Sequence, residues 1–182
     1  MTPSLSSRFL CLAAMPLVAL GLGASAPAMF RGDAAHTGVY ASAAPTLAAP
    51  AWTYRTGAKV LSSPVVSEGI VYVGSADHHL YALDAKTGAL KWRFKAGGAI
   101  ASSPALAAGR VIFSSLDGLI HGLDAATGRP AWSFRTEGER RFTAPGIHGA
   151  QPRTELMPDP FDVFLSSPAV AGGLVFVGSG DQ

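Results

Sequence analysis

Ala82-Leu83-Asp84-Ala85-Lys86-Thr87-Gly88-Ala89-Leu90-Lys91-Trp92 is matched 40 residues later by Gly122-Leu123-Asp124-Ala125-Ala126-Thr127-Gly128-Arg129-Pro130-Ala131-Trp132. The shared pattern is A-x-D-x-x-T-G-x-x-x-W, with glycine replacing alanine in the second copy. An aspartate where a turn begins accepts backbone N–H bonds, and a glycine where it ends supplies a positive φ. The small residue ahead of it, Ala82 or Gly122, leaves room beside the strand. An indole four residues past the glycine can then pack between neighbouring units. Ala82, Asp84, Thr87, Gly88 and Trp92, with Asp124, Thr127, Gly128 and Trp132, therefore read as a structural repeat motif. Trp92 and Trp132 are expected to be largely buried between sheets.

Moving outward, Trp52 extends the 40-residue spacing to three tryptophans. Ser-Ser-Pro occurs at Ser62-Ser63-Pro64, Ser102-Ser103-Pro104 and Ser166-Ser167-Pro168. Gly69, Gly109 and Gly173 follow each proline, and each opens a β-rich run: Ile70-Val71-Tyr72-Val73, Arg110-Val111-Ile112-Phe113 and Leu174-Val175-Phe176-Val177. Asp77, Asp117 and Asp181 come after these runs. Each unit parses into four short strands: Ser-Ser-Pro, the β-branched run, Leu80–Leu83 or Ile120–Leu123, and the strand bearing the tryptophan. Four strands in a repeat of roughly 40 residues is the pattern of a β-propeller blade. No helical period exists outside the N-terminal segment, which argues against an α-solenoid.

The turn-to-tryptophan pattern closely resembles the tryptophan-docking motif of the pyrroloquinoline quinone (PQQ) propeller repeat family. The resemblance covers residues 51–136 and 165–182, and residues 29–38 resemble the lead-in that precedes such repeats. It implies an all-β fold, a partial β-propeller of four-stranded antiparallel blades akin to those of WD40 repeats, with about 2.5 blades present. The third Ser-Ser-Pro comes 64 residues after the second. That leaves an insertion at 137–164 with no clear period. Its Arg140, Arg141, His148, Asp159 and Phe161 form a candidate partner-binding loop. Against that stands a packing flap anchored by Phe161, Val163 and Phe164. The sequence stops at Gln182 in mid-repeat. This is the expectation for a truncated or partial product, or for several chains sharing one ring.

The first 28 residues read as a signal peptide. Arg8 is the positive residue, residues 9–23 are almost wholly apolar, and Ala24-Ser25-Ala26-Pro27-Ala28 offers cleavage after Ala28. A retained anchor helix is the alternative. The domain plan is thus 1–28 signal peptide, 29–50 lead-in, and 51–182 partial propeller. Cys11, the only cysteine, lies in the apolar stretch, so a mature chain would hold no disulfide, thiolate metal site or cysteine nucleophile. Phe9-Leu10 before Cys11 do not fit a lipid-anchor signal. Hydrophobic residues make up 48 % and charged residues 14 %, the balance of a folded chain. A net charge of +2 gives no support for a nucleic-acid partner.

No catalytic, cofactor-binding or metal-binding residue set emerges. His78 and His79 would point to opposite faces of a strand, and read as turn or surface residues. His121 stands where the first unit has Tyr81 and reads as an aromatic-like packing substitution. Asp84 and Asp124 are turn formers by spacing. The repeated serines are unlike a nucleophile. The resemblance then divides in two. One branch, the BamB-like one, uses the ring as a non-enzymatic protein-binding scaffold in the cell envelope. The other comprises PQQ-dependent dehydrogenases, which hold PQQ with calcium. The cysteine-free repeats match the first branch. The expectation is an exported, periplasmic or outer-membrane-associated scaffold with protein partners, no cofactor, no stable membrane span, and self-association through open blade edges. The alternative is an N-terminal fragment of a quinoprotein dehydrogenase.

Overall fold

The computed structural model describes residues 28–39, 49–136, 142–143, 156–157 and 166–178. Among these there is no helix. The first four strands, β1 (Val65–Ser67), β2 (Ile70–Gly74), β3 (His79–Asp84) and β4 (Leu90–Lys95), form one antiparallel sheet in chain order. The next four, β5 (Ala105–Ala107), β6 (Arg110–Ser115), β7 (Leu119–Asp124) and β8 (Pro130–Arg135), form a second. A third unit begins with the paired strands β11 (Ala169–Ala171) and β12 (Leu174–Phe176). The insertion, read as lacking a period, contains a short antiparallel pair, β9 (Phe142–Thr143) with β10 (Leu156–Met157).

Tight turns set the register. Glu68 and Gly69, Ala108 and Gly109, and Gly172 and Gly173 all have positive φ, from +48° to +78°. Two central residues of this kind make the turn whose twist matches that of the strands it joins. Val65 thus faces Tyr72, Ala105 faces Ile112, and Ala169 faces Phe176. Both complete sheets carry an irregularity at the same place, between Ala82 and Leu83 and between Gly122 and Leu123. The repeat therefore extends to the defects in pairing.

The core lies between sheets rather than within one. Val65, Tyr72, Leu80 and Ala82 of the first sheet pack on Leu106, Val111, Phe113 and Leu123 of the second. The alternate residues of the second sheet, Ala105 and Ile112, pack on Val170 of the third unit. Met29 of the lead-in enters the same cluster, and Ala28 pairs in antiparallel fashion with Leu106. On the other face of the first sheet, Val73, Tyr81 and Leu83 are covered by Trp52 and Tyr54. Period-2 alternation assigns successive side chains to the two faces, so each sheet is a layer with apolar contacts on both sides. This is a partial all-β propeller: two complete blades and the opening strands of a third.

Candidate functional site

The Asp-x-x-Thr-Gly turns close in the same way in both blades. Asp84 Oδ1 accepts the Thr87 N–H and hydroxyl, each at 3.0 Å, and the Gly88 N–H donates to the Asp84 carbonyl at 2.8 Å. Asp124 repeats this with the Thr127 N–H at 3.0 Å, its hydroxyl at 2.8 Å and the Gly128 N–H at 2.8 Å. The backbone and hydroxyl of Thr87, then Lys86, hold the Asp84 carboxyl down at about 2. The Thr127 hydroxyl is the main cause of the lowering at Asp124. Carboxylates that accept several N–H or O–H bonds are stabilised in their charged form.

Each turn is the seat for a tryptophan from the repeat before it. The Trp52 indole N–H donates to the Ala85 carbonyl at 2.9 Å, and the Trp92 indole N–H to the Ala125 carbonyl at 3.0 Å. Tyr72 shares that second acceptor at 3.1 Å. The rings lie against the turn glycines. A Cβ built on Gly88 would sit 2.6 Å from the Trp52 ring, and one on Gly128 would sit 2.6 Å from Trp92. Trp92 and Trp132, expected to be largely buried between sheets, are partly buried and pack against the two inter-sheet clusters. They belong to outer strands whose residues alternate between exposed and partly buried, and the Trp92 ring also lies 5.8 Å from the Tyr72 ring. Trp132 instead leans over Gly122, its cross-strand partner, where any Cβ would collide with it. Ala82 fills the matching place opposite Trp92.

A second repeated device escaped the sequence reading. Asp77 accepts the Gly57 N–H at 2.6 Å and the His79 N–H at 3.1 Å, and receives the Tyr81 hydroxyl at 2.7 Å. Asp117 accepts the Gly97 N–H at 2.8 Å and the Leu119 N–H at 3.0 Å, with His121 Nε2 at 3.2 Å. Each carboxylate thus ties the segment leading into a blade to the blade's own inner turn. Burial pushes the Asp117 carboxyl up, but His121 and the two backbone N–H groups outweigh it and hold it below the usual range. Burial and Asp77 push the Tyr81 hydroxyl up to about 12. The recurrence of Gly57 with Asp77 and Gly97 with Asp117, each 20 residues apart, was the available signal.

The histidines follow from this. His121 is buried, stacked on Phe113 at 5.1 Å and edge-on to Phe94 at 5.4 Å, in the role Tyr81 has in the first blade. His79 begins β3 with Nδ1 2.9 Å from the Asp77 carbonyl. His78 is buried at φ +72°, a turn residue but not a surface one.

The serine pair has two jobs. Ser62, Ser102 and Ser166 Oγ accept the N–H of Gly74, Ser114 and Gly178, at 3.0, 2.9 and 2.7 Å, holding the first strand to the second. The next serine links blades: the Ser63 N–H donates to Ser103 Oγ at 2.9 Å, and the Ser103 N–H to Ser167 Oγ at 3.0 Å. Arg140, Arg141, His148, Asp159 and Phe161 lie outside the described residues.

A quinone-bound calcium would need several oxygen ligands gathered at one point. Four of the blade carboxylates, Asp77, Asp84, Asp117 and Asp124, are instead committed to separate turns, and Glu68 lies exposed in another. No group of three or more histidine, cysteine or acidic residues among the described residues is placed to share a cation. The described residues therefore do not fit a PQQ–calcium site.

Residues 36–152 match a family model described as outer membrane protein assembly factor BamB. The chain belongs to the PQQ-like propeller family. Among solved structures, this PQQ-like chain is similar to BamB from Moraxella catarrhalis, with 23 % identity and a TM-score of 0.49 over 70 % of the chain. It is similar also to quinohemoprotein alcohol dehydrogenase from Comamonas testosteroni, with 26 % identity and a TM-score of 0.49 over 68 %. A europium-containing methanol dehydrogenase shares 27 % identity at a TM-score of 0.49 over 71 %. The chain spans 33 % of that BamB structure and 18 % and 22 % of the two dehydrogenases. None of the curated proteins matches it.

Proposed function

We propose that this PQQ-like chain is a non-enzymatic, exported propeller segment that serves as a protein-binding scaffold in the cell envelope, in the periplasm or at the outer membrane. The observation that carries this reading is the use made of the acidic side chains. Asp77, Asp84, Asp117 and Asp124 are all bonded to backbone N–H groups that shape turns or join blades. These four serve the fold and form no carboxylate pair among themselves for acid–base or metal chemistry. The family description, an outer membrane assembly factor, supports the same reading. So does the apolar segment at residues 9–23, which reads as an export signal. No helix among the described residues is long and apolar enough to cross a membrane.

In this reading the insertion supplies the contact surface. Arg140, Arg141, His148, Asp159 and Phe161 combine charge with an aromatic anchor, the mix that interfaces favour. A photo-crosslinking residue placed in turn at Arg141 and Phe161 tests the idea in intact cells. Discrete crosslinks to a protein of the envelope fraction are expected, lost when Arg140 and Arg141 are both changed to Glu. A chain found in the cytosol, or one giving no crosslink from either position, contradicts the reading.

A further inference from the structure

β4 is the outermost strand of the first blade, and it pairs on one side only, with β3. Both faces of that sheet are covered, one by Trp52 and Tyr54 and the other by the second sheet. The open edge thus belongs to the blade itself and not to a missing neighbour. No backbone hydrogen bond from outside the sheet reaches Leu90–Lys95 among the described residues. The Ala96 N–H turns inward, to the His78 carbonyl at 2.9 Å. N–H direction alternates along an antiparallel strand, so the N–H groups of Arg93 and Lys95 face the open edge.

Side chains alternate on the same strand. Trp92 and Phe94 turn towards the cluster between the sheets, while Lys91, Arg93 and Lys95 are exposed. Lys91 lies 3.4 Å from Asp84, whereas Arg93 and Lys95 form no ion pair with any described residue. The matching strand of the second blade differs. β8 opens on Pro130, which has no N–H to offer, and has Ala131 and Ser133 where β4 has Lys91 and Arg93. The cation row with a fully functional backbone edge is therefore a feature of β4 and not of the repeat.

Cations along an edge discourage pairing with a strand that is neutral or of like charge. A strand with a carboxylate at every second residue meets no such barrier, because pairing sets each carboxylate beside a cation. We infer that β4 captures an acidic, extended segment of a partner protein as an added strand. Main-chain bonds to Arg93 and Lys95 hold the segment, and the side chains of the same two residues select it by charge. This capture rests on the scaffold reading and gives its partner a chemistry.

Fluorescence anisotropy on the purified full chain reads the capture with labelled peptides. A short peptide alternating Glu with Val is expected to bind saturably, and the same peptide with Lys for Glu to show no binding. Changing Arg93→Glu and Lys95→Glu together is expected to weaken the acidic peptide about tenfold or more. Both positions are exposed, and circular dichroism checks that the double variant keeps its β content. Two further arms use the wild-type chain. A peptide alternating Glu with Pro keeps the charge and its spacing but cannot pair as a strand, and is expected not to bind. Hydrogen exchange at the Arg93 and Lys95 amides is expected to slow when the Glu–Val peptide is bound. An acidic peptide that fails to bind overturns the inference. So does a Glu–Pro peptide that binds as well, exchange at those amides that stays unchanged, or capture of phosphatidylglycerol vesicles in place of the peptide. Crosslinks that persist from the insertion while the Glu–Val peptide fails to bind overturn the role of β4 alone and leave the scaffold reading standing.

Discussion

Gly109 and Gly128 have nearly the same backbone angle, φ +70° and +71°, but different surroundings. Nothing lies within 4 Å of a Cβ on Gly109, while one on Gly128 would press into the Trp92 ring. Gly109→Ala therefore carries only the cost of a left-handed alanine, about 1 kcal/mol. Gly128→Ala adds displacement of the docked indole and is expected to cost about 2–4 kcal/mol. Urea denaturation of the two variants measures both, and equal losses would refute the docking of Trp92 on this turn. Asp117 supplies a second test at this scale. Its folded pKa is lowered, so its contribution to stability is present above the unfolded carboxylate value, about 3.9, and is lost as pH falls through the folded value. The stability gap between wild type and Asp117→Asn is expected to be widest near neutral pH and to narrow in acid. A gap that stays constant with pH contradicts the assignment of Asp117 as an ionised strut.

At the level of strands and turns, the strongest single device is the first serine of each Ser-Ser-Pro. Ser102 Oγ is fully buried and both accepts the Ser114 N–H and donates to the Ser114 carbonyl, at 2.9 and 2.8 Å. Ser102→Ala orphans two buried backbone groups, for an expected loss of about 2–3 kcal/mol. Thermal or chemical unfolding of that variant measures it, and a loss under about 0.5 kcal/mol would mean that the strands are held by other contacts. The strands themselves were legible in the sequence, because β-branched runs and paired turn residues repeat with a fixed spacing. The forward reach of each tryptophan was not. Spacing places Trp92 and Gly88 in one repeat, yet the indole seats on Gly128 of the next, and only the stacking of blades reveals which turn lies beneath it. The struts from Asp77 and Asp117 were hidden for the same reason, since their partners Gly57 and Gly97 come from the preceding segment. His121 stands in for Tyr81, and the equivalent carboxylates show why the exchange works: Tyr81 reaches Asp77 Oδ2 and His121 reaches Asp117 Oδ2, the matching oxygen of the next repeat.

For the whole molecule, the layered fold explains why no single blade contains its own core. Val65, Tyr72 and Leu80 are buried by the neighbouring sheet, so stability is a sum over interfaces between units. Function was less legible than fold, because the PQQ-like repeat hosts both scaffolds and enzymes and the repeats alone do not choose between them. The scaffold reading rests on carboxylates that are committed to structure. It is tested most directly by titrating the purified chain with PQQ in the presence of calcium while following tryptophan fluorescence and heat. The account predicts no saturable binding into the high micromolar range and no change in unfolding temperature, since nothing binds the folded state selectively. Saturable binding at micromolar PQQ that depends on calcium and is abolished by Asp117→Asn would contradict it.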